Sequence, residues 1–205
     1  NKIKGYDFLL ENLRKTKFNW TLKIVGAKIN TQKKYLHKIN SQIKEIESEK
    51  QLCKIKLTGW QSSKKLRHQY GNCDIFILPS YSEGSSMVLF EAMAMGKPVL
   101  LVSPKGEASE LVTELGVGCW VDASNPKKLA EVVQKLFVDE GHMERLSAAS
   151  IAADQLRAAR PAFANSRPAT SPHSGSSLAL RSDHGSFESV EAIREVRGIG
   201  GKTLD

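Results

Sequence analysis

A chain of 205 residues, 40% apolar and 25% charged, has the make-up of a globular protein about one ordinary domain long, with residues to spare. No apolar run reaches the length of a bilayer crossing, and the first residues lack the apolar stretch of a secretory signal. A formal charge of +8 raises nucleic acid as a partner and has to be judged from where the lysines fall.

In chain order, Tyr6 to about Lys17 predicts an amphipathic helix with Phe8, Leu9 and Leu13 on one stripe. Thr21 to Val25 reads as a strand closed by Gly26. Thr31 to Leu52 reads as a long polar helix carrying Tyr35, Leu36, Ile39, Ile43 and Ile46 at helical spacing. Lys33, Lys34, Lys38, Lys44, Lys50, Lys54 and Lys56 cluster here, but Glu45, Glu47 and Glu49 interleave and no aromatic platform accompanies them. A solvated helix face is the preferred account, nucleic acid is set aside, and peripheral contact with an anionic membrane face comes second. Ile55 to Leu57 predicts a short strand ending near Gly59, and Ser62 or Ser63 caps a helix running to about Tyr70. The apolar run from Asp74 to Ser80 suits a parallel strand covered on both faces. A helix around Glu91, a strand at Val99–Val102, a helix over Ala108–Glu114 and a strand at Cys119–Val121 follow. Asn125-Pro126 then opens another helix. This alternation predicts a Rossmann-like α/β sheet with helices on both faces.

The polar loop between the Asp74 strand and the Glu91 helix lies where ligands of such sheets bind, beyond the carboxyl ends of the strands. Gly84 lets the backbone approach a ligand closely, and Ser85 or Ser86 can cap the helix opened by Met87. The first helical turn offers unpaired N–H groups and the positive end of a dipole, a site for phosphate. Glu83 and Glu91 flank it. Carboxylates repel phosphates but accept from sugar hydroxyls, so a nucleotide sugar fits.

Leu78-Pro79-Ser80, Glu83 and Glu91 with seven residues between them, Glu91-Ala92-Met93-Ala94 and Gly96-Lys97-Pro98-Val99 together resemble the group 1 retaining glycosyltransferases of the GT-B fold. The resemblance runs from Lys4-Gly5 to about Leu146 and implies the C-terminal, donor-binding half of that fold. It implies that Glu83 lies beside the transferred sugar as the catalytic residue and that Glu91 holds the ribose hydroxyls. Lys4 resembles the family's phosphate-binding lysine, whose partner arginine would precede Asn1. Gly26 matches the glycine closing the second strand, although Ala27 and Lys28 stand where a second glycine is usual. Gly59 matches a position near the base, where a plain turn serves equally well. Gly106, Glu107 and Glu110 stand at a glycine-rich turn of the family, and a helix cap explains them as readily. The implied donor is a nucleotide diphosphate sugar, with no other cofactor and no metal. The acceptor would be held by an N-terminal domain preceding Asn1, so the chain reads as a piece of a larger protein.

Cys53, Cys73 and Cys119 are odd in number and widely spaced, which predicts reduced thiols and a cytoplasmic setting. His37, His68 and His142 have no partners at ligand spacing and read as solvated. The expected domain spans residues 1–150, followed over 151–205 by a helical extension and a disordered tail. After about Arg160 the lysine-rich composition gives way to Ser, Pro, Ala, Gly and Arg, as though the segment had a different origin. The alternative reading keeps the fold without the chemistry, as a non-catalytic nucleotide-binding or interaction module. A dinucleotide-binding dehydrogenase is disfavoured by the lack of a Gly-x-Gly-x-x-Gly turn.

Overall fold

Strand and helix alternate in the computed structural model, which describes residues 5–25, 33–79, 87–125, 127–159 and 177–182. The elements are α1 (Tyr6–Leu13), β1 (Trp20–Val25), α2 (Lys33–Glu49), β2 (Lys54–Gly59), α3 (Ser63–Gly71), β3 (Ile75–Pro79) and α4 (Met87–Ala94). They continue as β4 (Val99–Ser103), α5 (Glu107–Glu114), β5 (Gly118–Asp122), α6 (Lys127–Val138), α7 (Glu140–Ala159) and β6 (Ser177–Ser182). The strands form one sheet in the order β2-β1-β6-β3-β4-β5. Neighbours within β1–β2 and within β3–β4–β5 are parallel.

Successive strand residues point to opposite faces, and this sheet buries both. Leu22, Ile24, Ile75, Ile77, Leu100 and Val102 pack with the buried stripes of α1, α2 and α6. Phe76, Leu78, Val99 and Leu101 pack on the other side with α4 residues Val88, Leu89, Ala92 and Met93 and α5 residues Ala108 and Val112. The expected α/β sheet wrapped on two faces is therefore present. β2 is an edge strand, and its exposed Lys54 and Lys56 discourage pairing with another chain. Part of the lysine excess thus has a structural reason.

Other lysines tie α2 to its neighbours. Lys38 Nζ lies 2.8 Å from Asp7 Oδ2, Lys50 Nζ donates to the Thr16 carbonyl, and Arg14 of the α1 end meets Glu45 and Glu49. Helix α1 stops at Leu13, short of the expected Lys17. The Thr16 hydroxyl donates to the Leu13 carbonyl at 2.7 Å and accepts from Trp20 Nε1 at 2.9 Å. That local bonding competes with another helical turn.

Helix α7 continues unbroken through residue 150, where the sequence reading passes from domain to helical extension. Ser147 Oγ donates to Gly96 O at 2.6 Å, and Ser150 Oγ donates to Lys97 O at 3.0 Å. Those carbonyls stand just ahead of β4, so α7 covers the edge at which the strands begin. No helix of the described residues is long and apolar enough to cross a membrane.

A whole element, too, departs from the sequence reading. Ser177–Ser182, assigned there to a disordered tail, forms β6, antiparallel to both β1 and β3. The remaining residues beyond 159 lie outside the described residues. A six-residue segment with two leucines gives no periodicity that can be read in isolation. Its partners supply the missing information: Leu178 is in register with Ile24 and Ile77, and Leu180 with Leu22 and Ile75.

Candidate functional site

The chain moves from β1 outward to β2, then crosses to β3 and runs the other way through β4 to β5. Such a reversal opens a crevice over the carboxyl ends of the strands on either side of it. Here those ends are Val25 and Pro79, and α7 covers the opposite edge. A groove of about 670 Å³ lined by Glu131, Lys135, Val138, Asp139 and His142 lies at the α6–α7 turn, away from the crevice.

Helix α4 descends from the crevice edge. Its Val88, Leu89, Ala92 and Met93 are buried, as suits a helix apolar nearly all round. Met87 opens it and is half-buried, and Glu91, one turn further on, is half-buried too. The Tyr70 hydroxyl donates to Glu91 Oε2 at 3.0 Å. Tyr70 is itself buried, with its ring centroid 5.6 Å from that of Phe76. The far end of α4 is fixed by Gly96 at φ 64, where an added Cβ would lie 2.9 Å from Ile151 Cγ1. Lys97, 7% exposed, extends its ammonium to Gly71 O at 3.1 Å, a cation at the negative end of α3.

Of the residues expected to hold the donor or act on it, Glu91, Met87 and Gly59 are described. Gly59 ends β2 at φ 63 with no atom within 4 Å of an added Cβ, so the backbone conformation, not crowding, is what favours glycine there. Lys4, Gly26, Glu83, Gly84, Ser85 and Ser86 lie outside the described residues, as does the separation of the two glutamates. Gly106 caps α5: its N–H donates to Ser109 Oγ at 2.9 Å, and the Ser109 hydroxyl donates back to Gly106 O at 2.7 Å. Glu107 and Glu110 are exposed, in keeping with the plain cap.

Two residues escaped the sequence reading. Trp60 follows Gly59 at the crevice edge and is 60% exposed, whereas Trp20 is fully buried. A large aromatic directly after a strand-closing glycine was the available signal. In the sequence Tyr70 reads only as a helix end, and nothing in its spacing points to Glu91.

The thiols of Cys53, Cys73 and Cys119 are free. Burial pushes the Cys73 thiol up to about 12, which leaves it inert near neutrality. His37 and His68 are exposed and His142 half-buried. Among the described residues no three His, Cys, Asp or Glu side chains gather as metal ligands.

Residues 1–152 match the family described as Glycosyl transferases group 1. An uncharacterised glycosyltransferase of Methanocaldococcus jannaschii is 28% identical over 141 residues, 69% of this chain and 34% of that protein. The N,N'-diacetylbacillosaminyl-diphospho-undecaprenol alpha-1,3-N-acetylgalactosaminyltransferase of Campylobacter jejuni is 39% identical over 69 residues, 34% of this chain and 18% of that one. These matches span about a third of the curated relatives' length at most. Among solved structures, HepE of Anabaena in complex with UDP-glucose superposes with a TM-score of 0.65 at 21% identity, covering 76% of this chain and 42% of HepE. The C-terminal domain of the group 1 family protein LpcC from Francisella tularensis gives 0.59 at 17% identity, covering 76% of this chain and 80% of that domain. The structural likenesses carry the fold, and the family match takes in every strand from β1 to β5 and the whole paired-glutamate phrase: the chain belongs to the Glycosyl transferases group 1 family.

Proposed function

We propose that this chain is the donor-binding part of a retaining glycosyltransferase that moves a sugar from a nucleotide sugar to an acceptor hydroxyl. The observation that carries the reading is Glu91, held half-buried one turn into α4, the helix that follows β3, within a phrase that pairs it with Glu83. HepE, which shares the fold, is solved with UDP and with UDP-glucose, which supports a nucleoside diphosphate in the crevice here.

In this reading the Glu91 carboxylate accepts from the ribose hydroxyls. The diphosphate lies at the start of α4, against backbone N–H groups of Gly84 to Met87, with Lys4 adding a cation. Gly26 and Gly59 keep two strand ends free of side chains where the nucleotide passes. Trp60 offers an exposed face on which the base can stack. Glu83 lies beside the transferred sugar. As the sugar–phosphate bond breaks, negative charge grows on the departing diphosphate, and the helix start and Lys4 stabilise it without a metal. The acceptor hydroxyl attacks from the face the diphosphate leaves, and the departing phosphate takes its proton. The acceptor is bound by a second domain, and the reaction runs in the cytoplasm, at the inner face of a membrane if the acceptor is a lipid.

Calorimetric titration of the chain with UDP, GDP and ADP tests the site. Weak, metal-independent binding of one of them, reduced by Glu91→Ala, is expected, because ribose contacts count as uniform binding. No binding to any at millimolar concentration would count against the donor site. In the two-domain enzyme, Glu83→Gln should lower kcat far more than donor affinity, since charge develops at that position only as the bond breaks. Full turnover in that variant would remove the catalytic role.

A further inference from the structure

Tyr70 is the penultimate residue of α3, and little about it is free to move. It is 4% exposed, and its ring packs at 51° against Phe76. Its carbonyl accepts from the Cys73 thiol at 3.3 Å. The next carbonyl, that of Gly71, accepts from Lys97, so the end of α3 is bound to the end of α4. From that fixed base the Tyr70 hydroxyl donates to Glu91 Oε2 at 3.0 Å. A glutamate has three side-chain torsions, and a half-buried one samples several rotamers unless something selects among them. A rigid donor on a neighbouring helix does so.

The donor is neutral, which suits a carboxylate that is itself to serve as an acceptor. A lysine or arginine in that place would compete for the charge and occupy more of the lone pairs. A tyrosine uses one of roughly four acceptor positions and leaves Oε1 for a ligand. The plainer account is that Glu91 merely satisfies a buried phenol. A neutral acceptor would do that at lower desolvation cost than a half-buried charge.

We infer that Tyr70 is a positioning residue for Glu91, holding its carboxylate in the rotamer that receives the ribose hydroxyls of a nucleoside diphosphate. The inference rests on the donor-binding reading above and adds to it a residue that never touches the ligand. Tyr70→Phe removes the hydroxyl and keeps the ring on Phe76. With UDP as the probe, affinity should fall about 3- to 10-fold, the weight of one oriented hydrogen bond. The same variant should bind 2′,3′-dideoxy-UDP, which lacks the hydroxyls, as the unaltered chain does. In a Glu91→Ala background, Tyr70→Phe should cost nothing more. Equal weakening of both probes would mean that the hydroxyl only maintains packing, and unchanged UDP affinity would mean it does nothing for the ligand; either overturns the inference. If Glu91→Ala weakens UDP and Tyr70→Phe does not, the positioning role alone falls. If Glu91→Ala has no effect on UDP, the ribose role falls and takes the positioning role with it.

Discussion

β3 and β4 are buried along their whole length, whereas β2 buries Ile55 and leaves Lys54, Lys56 and Leu57 to solvent. On the β3–β4–β5 side, each strand is hydrogen-bonded to the next in sequence, with α4 and α5 between them and α7 bound to the turn ahead of β4. On the β1–β2 side, a two-stranded edge is backed by α1 and α2 and bordered by lysine. The two sides share no direct strand pairing. β6 stands between them, and the two sides also meet on the core face where α1 and α6 pack beside residues of β1, β3 and β4, and where Lys23 of β1 donates to Gln69 of α3 at 3.2 Å. The difference places the half-buried glutamate on the better-anchored side. It also makes the β1–β2 side depend on a strand that comes from outside the family-matched residues 1–152.

The largest effect should come from breaking the bridge. Ala179 is in register with Lys23 on one side and Phe76 on the other, so Ala179→Pro removes a donor from the middle of the sheet. A loss of about 3 kcal/mol is expected. The comparison is sharpened by where the loss appears. Backbone amides of β1 and β2 should exchange much faster than those of β3 and β4, and Cys53, just ahead of β2, should become labelled by a thiol reagent before Cys73, just ahead of β3. An unchanged melting temperature with uniform exchange would show that β6 contributes nothing to the join.

The next effect lies on the other side. Gly96 has φ 64, and a Cβ there meets Ile151 of α7 at 2.9 Å, so Gly96→Ala strains the backbone and pushes two helices apart. Roughly 2 kcal/mol should be lost. Here exchange should rise first in α4 and α7, with β1 and β2 little changed. Faster exchange on both sides alike would mean that the sheet responds as one unit and that the division is only geometric.

The contrast also explains what could be read from the sequence. β3 and β4 are apolar runs buried on two faces, and α2 carries Tyr35, Ile39, Ile43 and Ile46 at helical spacing, so local pattern and tertiary environment agree. The place of Glu91 on a short helix after β3 was legible for the same reason. Its bond to Tyr70 was not, because the two helices that meet there stand apart in sequence, with β3 between them. The end of α1 depended on a hydroxyl bond between Thr16 and Leu13 that no periodicity encodes. β6 was hidden more thoroughly. Its strand character comes from the partners on either side of it, and its own composition points to a tail.

The smallest effect is electrostatic and belongs to the β1–β2 side. Asp7 lies at the α1–α2 contact. Burial pushes its carboxyl upward, but Lys38, the Tyr35 hydroxyl and the Phe8 backbone together hold it below the ordinary 3.8. A group whose pKa is depressed on folding contributes its stability fully above the unfolded value and loses it as pH falls through the folded one. The Asp7 contribution is therefore complete above about pH 3.8 and disappears below it. The pair is partly exposed and screened by solvent, so the contribution is small. In Asp7→Asn the urea midpoint should be slightly lower than in the unaltered chain at pH 6, and the gap should close as pH drops below 3.8. A gap that stays constant to pH 2 would assign the loss to packing, and the β1–β2 side would then owe nothing to this ion pair.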